Sequence, residues 1–336
     1  MRGTMSIDVS VSEDPAEWNG LVERSPQLTP FHRFEALRVV ADHSGTTVHP
    51  LVGYKGEEPV GVFPVFSMRR GPVRAVFSPP PDLKINYLGP VVFTQENMKQ
   101  RKTERRQRRF IEAVDELITD RLDPQYTLVR TGPNYSDPRP FIWNGYDPSP
   151  RYTYEVDLTP PTEELFMTFS SDIRSNVRNT DERSYELSEG GASEIEQIIS
   201  WAQERHDEQD VAFNVSQSFA RDLYRALPDR TMRAYVCRSR GVFVGGEITL
   251  EDERTLYKWQ AVGDYDHDVP ASDLLDWHVI QAARERDIKR FDLLGANNPR
   301  LCEYKAKYNP EVRIYYELER SNPIMDVMKA VYRRVR

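Results

Sequence analysis

The spacing of apolar and polar positions changes period many times along the chain, and each change marks an element. Apolar residues three and four apart predict helices over 15–24 and from Thr29-Pro30 through Val40, since proline suits a first helical turn. Alternation at every second residue predicts strands over 49–54 and 60–66, with Gly56-Glu57-Glu58-Pro59 as the hairpin turn between them. Strands over 73–77 and 87–93 follow, parted by Pro79-Pro80-Pro81, then a helix over 100–121 and a short strand over 126–130. Beyond them lie a strand over 152–158, a helix from Thr162 past Phe169, and helices over 193–208 and 216–227. Three strands come next, over 233–238, 242–250 and 255–262. The helix over 271–286 carries Leu274, Leu275, Val279 and Ala282 on one face. A buried strand over 290–294 ends at Gly295, and a strand over 312–318 precedes an amphipathic helix over 323–336.

Strands and helices interleave on both sides of a proline-rich stretch, 137–150, where donors are missing and the backbone is restricted. The pattern predicts an α/β (α+β) protein with a boundary near Pro150. Its domains are 1–150 and 151–336, the second ending in a basic helix, and each is a mixed sheet flanked by helices.

Composition narrows the classes. A length of 336 residues suits two domains of ~100–200 residues each. Large core formers (14 Phe, 17 Tyr and 5 Trp) exclude wholesale disorder. No apolar run reaches the ~18 residues of a membrane-spanning helix, and 1–12 lacks the apolar stretch of a secretory leader. A cytoplasmic protein is expected. Two cysteines make neither a disulfide scaffold nor a four-cysteine zinc site. A net charge of -8 disfavours a DNA-binding protein. Positive charge is nonetheless concentrated at 101–109, with six basic residues against Glu104, and in the tail at Lys329, Arg333, Arg334 and Arg336. Nine of the 45 basic residues are lysine, leaving 45 - 9 = 36 arginines, the better residue for forked recognition of phosphate. A GC-rich genome produces the same bias.

No phosphate loop and no Gly-x-Gly-x-x-Gly is present. Gly245-Gly246, inside a strand pattern, marks a bulge or a close backbone approach. The six histidines show no metal-binding spacing and no nucleophile–histidine pairing, so no metal is expected. Cys302 reads as a small, partly buried residue. The segment Phe291-Asp292-Leu293-Leu294-Gly295-Ala296-Asn297-Asn298 is more telling: a strand ends at glycine, and Tyr304-Lys305 stands just beyond. Ligands bind at such strand ends, and a lysine there can neutralise a phosphate or a developing negative charge. A solvated surface lysine is the plain alternative. Arg174 and Arg178, four apart, share a helix face and make either an anion site or an ordinary basic face.

Taken in order, these stretches resemble the FemAB group of aminoacyl transferases and their GNAT-type acetyltransferase relatives. The resemblance runs through Ile173 to Arg178, Gly245-Gly246, Tyr257-Lys258-Trp259, the helix from Ala271, Phe291 to Gly295 and Tyr304-Lys305. In the first half it rests on Phe31, 59–64 and Tyr87-Leu88-Gly89-Pro90. It implies two GNAT-like domains and transfer of an acyl or aminoacyl group to an amine of a cell-envelope glycan or peptide precursor. The acceptor would be nucleotide-linked or lipid-linked. No tightly bound cofactor is implied; the donor is an aminoacyl-tRNA or an acyl-CoA. It further implies that Lys305 stabilises charge in the donor channel behind the aromatic wall of Tyr304, and that Arg174 and Arg178 anchor phosphates. Tyr257, Trp259 and Tyr87 would line the cleft, with Asp292 and Asn297 at the strand end. The pyrophosphate loop of CoA-dependent members is missing; Asp264, Asp266 and Asp268 stand there and would repel a pyrophosphate. Two other functions fit the residues. One is CoA-dependent N-acetylation of an amino sugar or small amine. The other is non-catalytic binding at the inner face of the membrane through Val327, Met328, Val331, Tyr332 and Val335 of the basic last helix.

Overall fold

A computed structural model of the chain describes residues 6–25, 27–93, 98–323 and 325. The chain packs as two compact units: Met1–Arg151 with Tyr315–Arg336, and Tyr152–Ile314. Both are mixed α/β, as the interleaved pattern predicts.

The first unit holds β1 (Asp8–Val11), α1 (Pro15–Val22), α2 (Phe34–Ser44), β2 (Thr47–Lys55), β3 (Glu58–Arg70), β4 (Val73–Ser78), β5 (Val91–Val92), α3 (Gln100–Leu122), β6 (Tyr126–Arg130) and α4 (Arg139–Trp143). From β7 (Asp147–Asp157) the chain passes into the second unit. There it forms α5 (Thr162–Thr168), α6 (Ser171–Asn179), β8 (Glu186–Gly190), α7 (Ala192–Glu208), α8 (Gln217–Ala226), β9 (Met232–Ser239), β10 (Val242–Glu251), β11 (Thr255–Gly263), α9 (Ala271–Glu285), β12 (Arg290–Asp292) and α10 (Pro299–Lys305). The last strand is β13 (Glu311–Ser321).

In the first unit β1, β2, β3 and β4 form an antiparallel meander, β5 adds to β3, and β4 pairs parallel with β6. Gly53 and Gly61 face each other across β2 and β3. A Cβ at either would lie 2.6 or 2.9 Å from the ring of Phe110. The glycine pair is therefore the slot that seats α3 on the sheet, and Phe110 is 0% exposed there. Burying such a ring is worth about 1.5–3 kcal/mol.

Two expectations are corrected here. The strand expected over 87–93 shrinks to β5, because Asp82, Lys84 and Gly89 have positive φ and turn the chain repeatedly through 79–90. The expected second domain, 151–336, ends early. From Tyr315 onward β13 pairs antiparallel with β6, Glu317 opposite Arg130 and Ser321 opposite Tyr126, so that segment belongs to the first unit. The basic last helix, with the five residues expected at a membrane, lies outside the described residues. Among the described residues no helix is long and apolar enough to cross a membrane.

The second sheet runs β7, β12, β11, β10, β9, β8, with all neighbours antiparallel except β11 and β12. A Cβ at Gly245 would stand 2.9 Å from Ala271 Cβ, and one at Gly246 2.5 Å from Ile198 Cγ1. Successive strand residues point to opposite faces, so α9 covers one face and α7 the other. The glycine pair serves close approach on both sides, and the β9 register slips beside it, between Phe243 and Gly245. On α9, Leu274, Leu275, Val279 and Ile280 are buried against this core.

Candidate active site

The parallel pair β11 and β12 matches over only three residue pairs: Thr255 with Arg290, Leu256 with Phe291 and Tyr257 with Asp292. β12 then stops, short of the expected 294. Asp292 Oδ1 accepts the Leu294 amide at 2.9 Å, and Leu294 (φ 49°) and Gly295 (φ 94°) swing the chain away. This is the local turn that aspartate side chains favour. β11 continues to Gly263. Two parallel neighbours therefore part at their C-terminal ends, where α/β sheets bind ligands. Beyond the parting, Asn298 caps α10, accepting the Arg300 amide at 3.0 Å, with Pro299 in the first turn.

α10 delivers Tyr304 and Lys305 to this place. Lys305 Nζ donates to the carbonyls of Leu293, Leu294 and Gly295 at 2.6, 3.0 and 2.8 Å. An ammonium has three hydrogens, so all are engaged. Burial, aided by Lys258, pushes its pKa down to about 8, and it stays protonated at neutral pH. Lys305 thus fixes the turn at the strand end, with its charge held against three backbone carbonyls. Asp292 and Asn297 are likewise structural. Thr153 Oγ1 donates to Asp292 Oδ1 at 2.6 Å and accepts the Gly295 amide at 2.9 Å. Asn297 bonds both the amide and the carbonyl of Tyr152, each at 2.9 Å. Burial pushes the Asp292 carboxyl up to about 7, against the Leu294 amide and the Lys305 charge.

Tyr304 leads into a polar cluster that the sequence did not single out. Its hydroxyl donates to Asp276 Oδ2 at 2.8 Å and lies 3.2 Å from Asp273 Oδ1 and 3.0 Å from the Tyr308 hydroxyl. Asn176 donates to Asp273 Oδ2 at 2.6 Å. Lys258, on β11, is hydrogen-bonded to Asp276 Oδ1 and lies 3.4 Å from Glu247 Oε2 on β10. Burial holds the Glu247 carboxyl well above the carboxylate range, against the pull of Lys258. Burial alone would do the same to Asp276, but Lys258 overrides it and holds Asp276 below its usual value. Burial and Asp276 raise Tyr304 and Tyr308 far above the usual phenol range. The cluster is thus centred on one close ion pair, Lys258 with Asp276, while burial shifts Glu247, Asp273, Tyr304 and Tyr308 upward around it. The available signal was on α9: Asp273 and Asp276, three apart, sit among its buried apolar residues.

The other expected residues do not join this group. Tyr257 is 8% exposed and donates to Asp252 Oδ2 at 2.9 Å. Trp259 packs edge-on against Phe219, ring centroids 5.9 Å apart. Both are buried side chains on the sheet face opposite Lys258. Tyr87 belongs to the first unit, buried against Tyr315 at 5.2 Å. Arg174 and Arg178 do share α6 but turn toward α5. Arg178 pairs with Glu163 at 2.6 Å and lies 5.0 Å above the Phe166 ring, and Arg174 Nη1 approaches Met167 Sδ at 3.4 Å.

Residues 168–306 match the family model described as an acetyltransferase (GNAT) domain. The fold is similar to that in a crystal structure of FemX, with 9% identity and a TM-score of 0.70 over 91% of this chain and 96% of that one. It is similar to L-PGS from Bacillus licheniformis, with 13% identity and a TM-score of 0.56 over 97% and 98%. A tandem GNAT protein from the clavulanic acid biosynthesis pathway gives 12% identity and a TM-score of 0.52 over 94% and 98%. No curated protein matches. The parted strands, the ion-paired cluster and α10 all draw on the segment that matches the acetyltransferase (GNAT) domain model.

Proposed function

We propose that this chain moves an acyl or aminoacyl group from a carrier to the amino group of a cell-envelope glycan or peptide precursor. The observation that carries the reading is the parting of β11 from β12 inside the segment that matches an acetyltransferase model. The incoming amine attacks the acyl carbonyl directly. A C–N bond forms, the bond from the acyl carbon to the carrier's oxygen or sulfur breaks, and the amine's proton leaves with the carrier or to solvent. No side chain need become acylated. In this reading Tyr304, its hydroxyl aligned by Asp276, stands beside Lys258 of β11, and Lys305 positions the 293–295 carbonyls at the end of β12.

Of the two carriers, aminoacyl-tRNA is the better supported. Asp264, Asp266 and Asp268 precede α9, whose cap residue Pro270 offers no side-chain hydrogen bond. A pyrophosphate there would meet three carboxylates. The acetyltransferase model itself favours acetyl-CoA, and that is the second reading. Parallel transfer assays from labelled aminoacyl-tRNA and labelled acetyl-CoA to an amine-bearing nucleotide-linked or lipid-linked precursor test both. Transfer from charged tRNA supports the first reading, transfer from acetyl-CoA alone replaces it with the second, and transfer from neither refutes both.

A further inference from the structure

The first ten residues of α3 carry Arg101, Lys102, Arg105, Arg106, Arg108 and Arg109 against one acid, Glu104. Few of these charges are neutralised. Arg106 pairs with Glu58 at 2.8 Å and Arg108 with Glu112 at 3.0 Å. Glu104 is taken by Arg139 from α4, at 2.7 Å. The side chains of Arg101, Lys102, Arg105 and Arg109, together with that of Lys99 at the cap, have no ion pair or hydrogen bond among the described residues. On a helix Arg101, Arg105 and Arg109 fall along one stripe, each about 6 Å beyond the last at 1.5 Å per residue.

The helix itself gains nothing from this arrangement. A helix N-terminus is the positive end of its dipole and favours acids. Here the first turn has no acid and the cap residue, Lys99, makes no capping hydrogen bond. Solvation of a surface helix is equally served by mixed charge, and a chain of net charge -8 has acids to spare. The stripe is therefore a local exception, placed where it opposes the helix's own stability.

Its chemistry selects the partner. Guanidinium groups dominate, and their forked donors match phosphate oxygens. No apolar side chain is exposed over 99–109, so nothing there would enter a bilayer, and Phe110 is committed to the core. We propose that the N-terminal half of α3 is a docking strip for the phosphodiester backbone of an RNA, bound without regard to base sequence. In the acyl-transfer reading that RNA is the donor's carrier, and in this respect the inference rests on it; the strip itself does not.

The test uses the full chain and labelled uncharged tRNA, with anisotropy titrations from 50 to 200 mM salt. Uncharged tRNA has no acyl group, so its binding is read apart from transfer, and the comparison of variants isolates the strip. A triple variant, Arg101→Gln with Arg105→Gln and Arg109→Gln, should bind at least ~10-fold more weakly at low salt. Its slope of log affinity against log salt should be shallower by about 2–3, near 0.7–0.9 per lost phosphate contact. Its melting temperature should be unchanged or higher, since cations leave a helix N-terminus. A matched triple at exposed arginines elsewhere, Arg24→Gln with Arg38→Gln and Arg230→Gln, should leave affinity within about twofold. Equal weakening by both triples would make the effect one of diffuse charge and overturn the assignment. So would unchanged binding by the α3 triple, or loss of binding to phosphatidylglycerol vesicles with tRNA binding intact.

Discussion

Replacing Lys258 by methionine tests whether the buried cluster is held by one ion pair. Methionine keeps the length of the stem and fills the space, so the change removes charge and little volume. Lys258 has 11% of its side chain exposed, Asp276 0% and Glu247 1%, so solvent screens the pair weakly. Two unit charges ~4 Å apart at an effective dielectric of 20 interact by about 4 kcal/mol. Removing one partner of a buried pair costs about 3–5 kcal/mol, because the other charge is stranded. Lys258→Met should lose that much at pH 7, read by urea denaturation with tryptophan fluorescence; Trp201, Trp259 and Trp277 all report on the second unit. In the native protein Lys258 holds the Asp276 pKa below its unfolded value, so that stability is present at neutral pH and lost on acidification. Without the lysine, burial reverses the direction, and Asp276 is penalised when ionised. The deficit should therefore shrink toward pH 4. Adding Asp276→Asn should recover part of the loss, a coupling of about 1–3 kcal/mol. A loss below about 1 kcal/mol at pH 7, or one independent of pH, would refute the ion-pair account.

Three further outcomes follow from the same geometry. Lys305→Ala frees the carbonyls of Leu293, Leu294 and Gly295 and should lower turnover at least ~10-fold while circular dichroism stays native; unchanged turnover would remove Lys305 from the site. Asp292 has a folded pKa raised by burial to about 7 against an unfolded value near 3.8, so its contribution to stability declines as pH rises from ~4 to ~7. Asp292→Asn, which keeps the Oδ1 acceptor for Thr153 and Leu294, should flatten that decline in urea titrations across the same range. Gly246→Ala sets a Cβ 2.5 Å from Ile198 Cγ1, inside a fully buried helix face, and should cost about 1–3 kcal/mol. Ile198→Ala in the same chain should return part of that loss, and additivity of the two changes would contradict the close packing of α7 on β10.

Much of the architecture was legible because local signals agreed with it. The hairpin of β2 and β3 has turn residues between alternating runs, and α9 has an apolar stripe of helical period. The failures came where one local rule overrode another. The segment 87–93 alternates like a strand, but the turns at Asp82, Lys84 and Gly89 govern it. At the end of β12 the Asp292 side chain captures the Leu294 amide and stops the strand two residues early. For the site, Tyr304 and Lys305 were visible from their place beyond a strand end, but their partners were not. The three carbonyls around Lys305 come from a turn ten to twelve residues earlier. The cluster around Tyr304 draws Glu247, Lys258, Asp273 and Asp276 from β10, β11 and α9, and only tertiary packing brings these together. Alternation tells which residues share a face, not which face is open, and here Tyr257 and Trp259 lie buried. Lys258, between them, is the one that faces α9 and Tyr304.

In the proposed function the donor binds where β11 and β12 part. Hydrogen–deuterium exchange of the full chain tests it, with and without an amide-linked, non-hydrolysable aminoacyl-tRNA, and in parallel with acetyl-CoA. The bound donor should slow exchange in 258–263 of β11, which pairs with β10 but has run past β12, and across 293–305, with other segments of the second unit unchanged. Protection confined to other segments, with 258–263 and 293–305 exchanging as before, would contradict it.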